Sequence, residues 1–112
     1  MKTFARYRPR QPPGTMNKLE KAYSEYLFFR KKAGDILDYK FEAIKLRLAP
    51  NTFYTPDFMV QTTDGYIEMH ETKGFWEDDA RVKIKVAAEV FPFRFVAITR
   101  SKDGWKEEDF GG

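Results

Sequence analysis

The sequence predicts an α/β domain with a mixed central sheet of about four strands flanked by helices, in the order α-β-β-β-α-β. Three observations predict it. Residues 16–33 repeat apolar side chains at helical steps, two β-like runs meet at an Asp64-Gly65 turn, and a second helical segment leads into a short apolar strand. A hairpin followed by a helical crossover gives a sheet with both antiparallel and parallel neighbours.

Residues 1–14 carry Lys2, Arg6, Arg8 and Arg10 with no acid and end in Pro12, Pro13 and Gly14. Such a segment does not hold a helix, so residues 1–15 read as a flexible basic arm, either simply solvated or tracking phosphates. Residues 16–112 then form a single domain, because a chain of 112 residues has no room for a second core. The first helix spans Met16 to Ala33: Met16, Leu19, Tyr23, Tyr26, Leu27 and Arg30 recur every three or four residues, and Gly34 stops it. Asp38 to Leu48 reads as a strand whose alternation changes parity near Ala43, which predicts a bulge there. Phe53 to Val60 and Tyr66 to Lys73 form the hairpin. Glu77 to Val90 reads as the second helix, with Glu77, Asp78 and Asp79 in its first turn, where the helix dipole favours acids. Phe93 to Thr99 is a short strand, expected parallel to its neighbour, and Ser101 to Gly112 is a polar tail anchored by Trp105.

The composition narrows the chemistry. The chain is 42% hydrophobic, with 11 Phe, 6 Tyr and 2 Trp, enough apolar surface for a core without cross-links. Having no cysteine, it offers no thiolate nucleophile and no cysteine zinc site, so a metal would be held by oxygen or by His70. The N-terminus lacks the apolar run of a secretion signal and no segment matches a membrane span, so a cytoplasmic protein is expected. A net charge of +3 is compatible with a nucleic-acid partner but does not single one out.

One constellation carries chemistry. Asp57 follows Pro56 in an otherwise apolar run, where a carboxylate must be paired or bound to a metal. In the next strand Ile67, Met69, Glu71 and Lys73 share one face, so an acid and a base close an apolar row. Across a hairpin, Asp57, Glu71 and Lys73 converge at one rim of the sheet. Two carboxylates suit Mg²⁺, with Mn²⁺ as a substitute, and waters and a phosphate complete the octahedron. Lys73 is placed to activate the attacking water or to hold the phosphate. These are the requirements of phosphodiester hydrolysis.

Pro56-Asp57 followed 14 positions later by Glu71-Thr72-Lys73 resembles the signature of the PD-(D/E)xK nuclease superfamily. The resemblance covers about residues 16–100 and includes Asn17-Lys18-Leu19-Glu20, Tyr54-Thr55-Pro56-Asp57-Phe58 and Glu71-Thr72-Lys73-Gly74. It is closest to small phage members of that superfamily, the Holliday-junction resolvases and phage endonuclease I group. It implies a restriction-endonuclease-like core, a metal-dependent endodeoxyribonuclease, branched DNA as substrate, and a homodimer in the host cytoplasm. It also places Glu20 with the metal acids. Glu20 lies beside the apolar stripe of the first helix, and its alternative role is a capping box with Asn17.

Arg81, Lys83 and Lys85 on the second helix, together with Arg6, Arg8 and Arg10 of the arm, are the candidate DNA contacts, with Arg94 and Arg100 in support. His70 falls on the strand face opposite Glu71 and reads as a surface or packing residue. Phe75 and Trp76 read as core or dimer-contact aromatics. The alternatives to a resolvase are a nuclease for single strands, flaps or duplex, a non-catalytic DNA-binding module, or a structural protein in which the acids pair with lysines.

Overall fold

A computed structural model describes residues 14–74 and 78–111. Helix α1 (Lys18–Lys32) begins with a complete capping box: the Asn17 side chain accepts from Glu20 N at 2.8 Å, and Glu20 Oε1 accepts from Asn17 N at 2.9 Å. It ends at Gly34, whose φ of +83° lets Asp35 N reach back to Arg30 O at 2.8 Å and close the last turn. The remaining elements are β1 (Ile36–Phe41), β2 (Leu46–Ala49), β3 (Thr52–Tyr54), β4 (Phe58–Thr62), β5 (Ile67–Lys73), α2 (Asp78–Val90), β6 (Arg94–Ser101) and β7 (Gly104–Asp109).

The main sheet has five strands in the order β1-β4-β5-β6-β7, and β2-β3 make a separate two-stranded sheet. β4 and β5 are the antiparallel hairpin, closed at Gly65, whose φ is +91°. β6 lies parallel to β5 after the α2 crossover, with Glu71 opposite Ala97 and Lys73 opposite Thr99. The mixed α/β arrangement is therefore present.

Three expected strand boundaries are corrected. Asp38–Leu48 is not one bulged strand: the chain leaves the sheet at Glu42, which adopts φ +47°, and resumes as β2 against β3. The parity change near Ala43 marks this exit. Phe53–Val60 is likewise two strands, because Pro56 has no amide proton to donate to a ladder. Asp57 thus sits in a bend just before β4 rather than within a strand. Ser101–Gly112 is not a tail but contains β7, joined to β6 through a Lys102-Asp103 turn, so the sheet has five strands instead of four.

Each face of the main sheet carries its own core. Tyr23 and Leu27 of α1 pack on Ile36, Phe58, Val60, Val96 and Ile98. Trp105 closes this layer, its ring centroid 5.0 Å from that of Tyr23, so the anchoring role of Trp105 is present in a strand. On the other face Ile84 and Ala87 of α2 pack on Met69 and Phe95, and Leu46 and Tyr54 of the small sheet complete the layer. The strand alternation of β5 is thereby fixed: Met69 and Glu71 face α2, and His70 and Thr72 face α1.

Candidate active site

The bend at residues 55–57 brings Asp57 against the C-terminal end of β5. Asp57 N donates to Glu71 Oε1 at 3.2 Å, and Asp57 Oδ2 accepts from Thr72 N at 2.9 Å and from the Thr72 hydroxyl at 2.8 Å. Tyr54, the last residue of β3, donates its hydroxyl to Glu71 Oε1 at 2.8 Å. Lys73 Nζ lies 3.5 Å from Glu71 Oε2. The predicted trio of Asp57, Glu71 and Lys73 is therefore gathered at one rim, by a bend and a strand end rather than by two facing strand positions.

The electrostatics of the pair are unfavourable as they stand. Asp57 and Glu71 are 8% and 9% exposed. Burial, followed by the neighbouring Glu71 charge, pushes the Asp57 carboxyl up to about 8. Burial also raises Glu71, against the opposing effects of the Tyr54 hydroxyl and the Lys73 ammonium. Burial and the same Glu71 carboxylate hold the Tyr54 phenol protonated well above its ordinary range, so that it remains a donor. Among the described residues Asp57 Oδ1 has no hydrogen-bond partner. A buried pair of acids with an orphaned oxygen and only oxygen donors suits a hard cation such as Mg²⁺. Asp57 and Glu71 would hold it. Among the described residues no group of three or more acids or histidines forms a metal cage, so water and phosphate oxygens would complete the coordination.

Glu20 occupies its alternative role, since its side chain completes the α1 capping box. It nevertheless lies near enough for its charge to contribute to the rise of Asp57. Beside the pair, Tyr54, Thr55, Glu71, Lys73 and Lys83 line a cleft of about 250 Å³. Lys83 Nζ reaches Phe53 O at 3.4 Å. Lys85 is exposed on the same helix, whereas Arg81 is held by Glu108 at 3.0 Å. Arg6, Arg8, Arg10, Phe75 and Trp76 lie outside the described residues. Arg94 pairs with Glu68 at 2.6 Å, and Arg100 stacks over Trp105 on the side of the sheet facing α1.

Sequence reasoning missed Tyr54 and Thr72, which hold the two carboxylates. Thr72 lies between Glu71 and Lys73, and its opposite strand parity obscured a contact that the bend makes possible. His70 proves to be a packing residue at 1% exposure, not a surface one. Its Nδ1 is 2.6 Å from the Tyr23 hydroxyl and its Nε2 is 2.9 Å from Glu68 Oε1.

Comparison with protein-family models, curated proteins and solved structures returns no match for this chain.

Proposed function

We propose that this protein is a metal-dependent endodeoxyribonuclease that hydrolyses phosphodiester bonds at the rim formed by Asp57, Glu71 and Lys73. The observation that carries this reading is the buried Asp57–Glu71 pair, whose ionisation is costly without a cation and in which Asp57 Oδ1 has no hydrogen-bond partner among the described residues. Bound Mg²⁺, with Mn²⁺ as a substitute, would polarise the phosphate and lower the pKa of a water.

The protein's own groups perform the remaining tasks. Thr72 fixes one oxygen of Asp57, and the other would be available to a metal ion. Tyr54 holds Glu71 in its rotamer. Lys73 keeps a positive charge next to Glu71 Oε2, where it can hold a phosphate oxygen or favour hydroxide over water. Lys83, on the cleft wall, is placed to position a neighbouring phosphate.

The finer proposal, carried by the resemblance to the PD-(D/E)xK superfamily, is a phage-type Holliday-junction resolvase with a restriction-endonuclease-like core. It would act as a homodimer in the host cytoplasm, because paired cuts in opposed strands require two sites. Among the described residues no helix is long and apolar enough to cross a membrane.

The test is incubation of the purified protein with four-way junction, flap, single-stranded and linear duplex DNA, in Mg²⁺ or in EDTA. Cleavage in Mg²⁺ alone supports the nuclease, and symmetric cuts in the junction support the resolvase. Metal-independent binding without cleavage of any substrate replaces the enzyme with a DNA-binding module.

A further inference from the structure

A second feature of the molecule adjoins the candidate active site and is not used by it. A groove of about 600 Å³ runs between α1 and β1, the edge strand of the main sheet, and its lining includes Phe28, Lys31, Lys32, Tyr39, Lys40 and Phe41. Met16, just before α1, and Lys32, in its last turn, both line it.

Three lysines face this groove against one acid, Asp38, and that acid is already engaged by Lys31 at 3.0 Å. Lys32 and Lys40 thus supply a net positive charge. The aromatic groups lie among these charges: Phe28 is 45% exposed, and the Lys32 ammonium stands 5.7 Å from its ring centroid. Phe28 offers an exposed ring, with Tyr39 and Phe41 partly buried against the core beside it, and this surface fits a nucleic acid strand whose bases are unpaired, because a base stacks on Phe28 while phosphates meet the ammonium groups. Paired bases in a duplex present no free faces to such rings.

The groove is also continuous with the catalytic rim. Phe41 pairs with Phe58, the residue after Asp57, and Glu42 N donates to Asp57 O at 2.8 Å. A strand leaving the scissile phosphate at Asp57 would meet Phe41 first and then Tyr39, Lys40 and Phe28.

We propose that the groove between α1 and β1 binds an unpaired DNA strand continuing from the phosphate held at Asp57 and Glu71, so that the preferred substrate carries a single-stranded segment beside the cut. This deepens the nuclease reading, rests on it for the position of the scissile phosphate, and favours a flap or single-stranded substrate over the fully paired four-way junction. Stacking supplies tolerance for any base, and the lysines make the binding salt-dependent.

The test measures fluorescence anisotropy with a labelled 16-nucleotide oligo(dT) and with a blunt duplex, in EDTA, for wild type, Phe28→Ala and the double variant Lys32→Glu/Lys40→Glu. The same proteins are then assayed in Mg²⁺ on a duplex with an oligo(dT) tail and on the blunt duplex. We expect wild type to prefer oligo(dT), and Phe28→Ala to lose about tenfold in its affinity for the strand. The charge variant should lose more and show a shallower salt dependence, while blunt-duplex binding stays as in wild type. Because Phe28, Lys32 and Lys40 are exposed, a folding defect is not expected, and circular dichroism checks it.

If both variants bind oligo(dT) and cut the tailed duplex as wild type does, the groove assignment is wrong even if the nuclease stands. If they instead change the sedimentation of the protein without changing DNA binding, the groove is a contact between copies and the assignment is again wrong. If no substrate is cut but oligo(dT) binding still depends on Phe28 and the lysines, the groove assignment stands as a binding site and the nuclease reading fails.

Discussion

The Tyr54 hydroxyl donates a 2.8 Å hydrogen bond to Glu71 Oε1, joining the small β2-β3 sheet to the C-terminal end of β5. The excursion from the main sheet after Glu42 delivers Tyr54 to this buried carboxylate, which Asp57 N and Lys73 also contact. Tyr54→Phe keeps the ring in its apolar layer and removes only the donor. Cleavage should fall about tenfold, equivalent to roughly 1.4 kcal/mol of lost positioning. Single-turnover rates with unchanged circular dichroism would check it.

The Asp57–Glu71 pair makes the metal-free protein sensitive to pH in an unusual direction. Asp57 is pushed up to about 8 in the folded state, above the ordinary value of 3.8 that it recovers on unfolding. Between these values the folded protein retains a proton that the unfolded chain has released, so stability falls as pH rises from about 4 to 8. Thermal melts in EDTA should show a declining Tm over that window. Asp57→Asn should flatten the decline and raise the metal-free Tm at pH 8 by about 4 °C or more, corresponding to at least about 1 kcal/mol. Mg²⁺ should stabilise wild type increasingly with pH, because it favours the ionised pair.

Glu20 can be separated from its capping role. Glutamine preserves the reciprocal capping bond to Asn17 N but removes the charge that reaches Asp57. Glu20→Gln should leave Tm unchanged and lower cleavage by about tenfold at limiting Mg²⁺, with recovery at high Mg²⁺. Equal activity at every metal concentration would assign Glu20 to the cap alone.

His70 should behave as a structural residue. It is buried between the Tyr23 hydroxyl and Glu68, whose other oxygen accepts from Arg94. His70→Ala strands the Tyr23 hydroxyl and opens a cavity, costing about 2–4 kcal/mol. Urea denaturation should register this loss, while the folded fraction retains its cleavage rate per active molecule.

Much of this organisation was legible in the sequence. Helical periodicity with Gly34, the Asp64-Gly65 turn and the α2 crossover are local signals, and each element lies where those signals place it. Asp57 was recognisable because an acid in an apolar run is costly without a purpose, and Glu71 and Lys73 because they continue the strand face of Ile67 and Met69. The small sheet was not legible, because leaving the main sheet depends on a left-handed conformation at Glu42, a residue type with no local preference for it. β7 was missed for a different reason. Its Lys106-Glu107-Glu108-Asp109 run has poor strand propensity, and those charges suit an exposed sheet edge. The Asp103-Gly104 dipeptide, where the Lys102-Asp103 turn enters β7, was the available clue. The roles of Tyr54 and Thr72 depend on tertiary placement around the bend.

The most direct measurement is the cleavage rate of wild type, Asp57→Asn and Lys73→Ala on the best DNA substrate across an Mg²⁺ titration, with each variant first shown to be folded. Wild type should cut only when metal is present, Asp57→Asn should lose activity together with Mg²⁺ binding, and Lys73→Ala should bind Mg²⁺ but cut at least about 100-fold more slowly. Cleavage by either variant at the wild-type rate, or wild-type cleavage undiminished in EDTA, would contradict this.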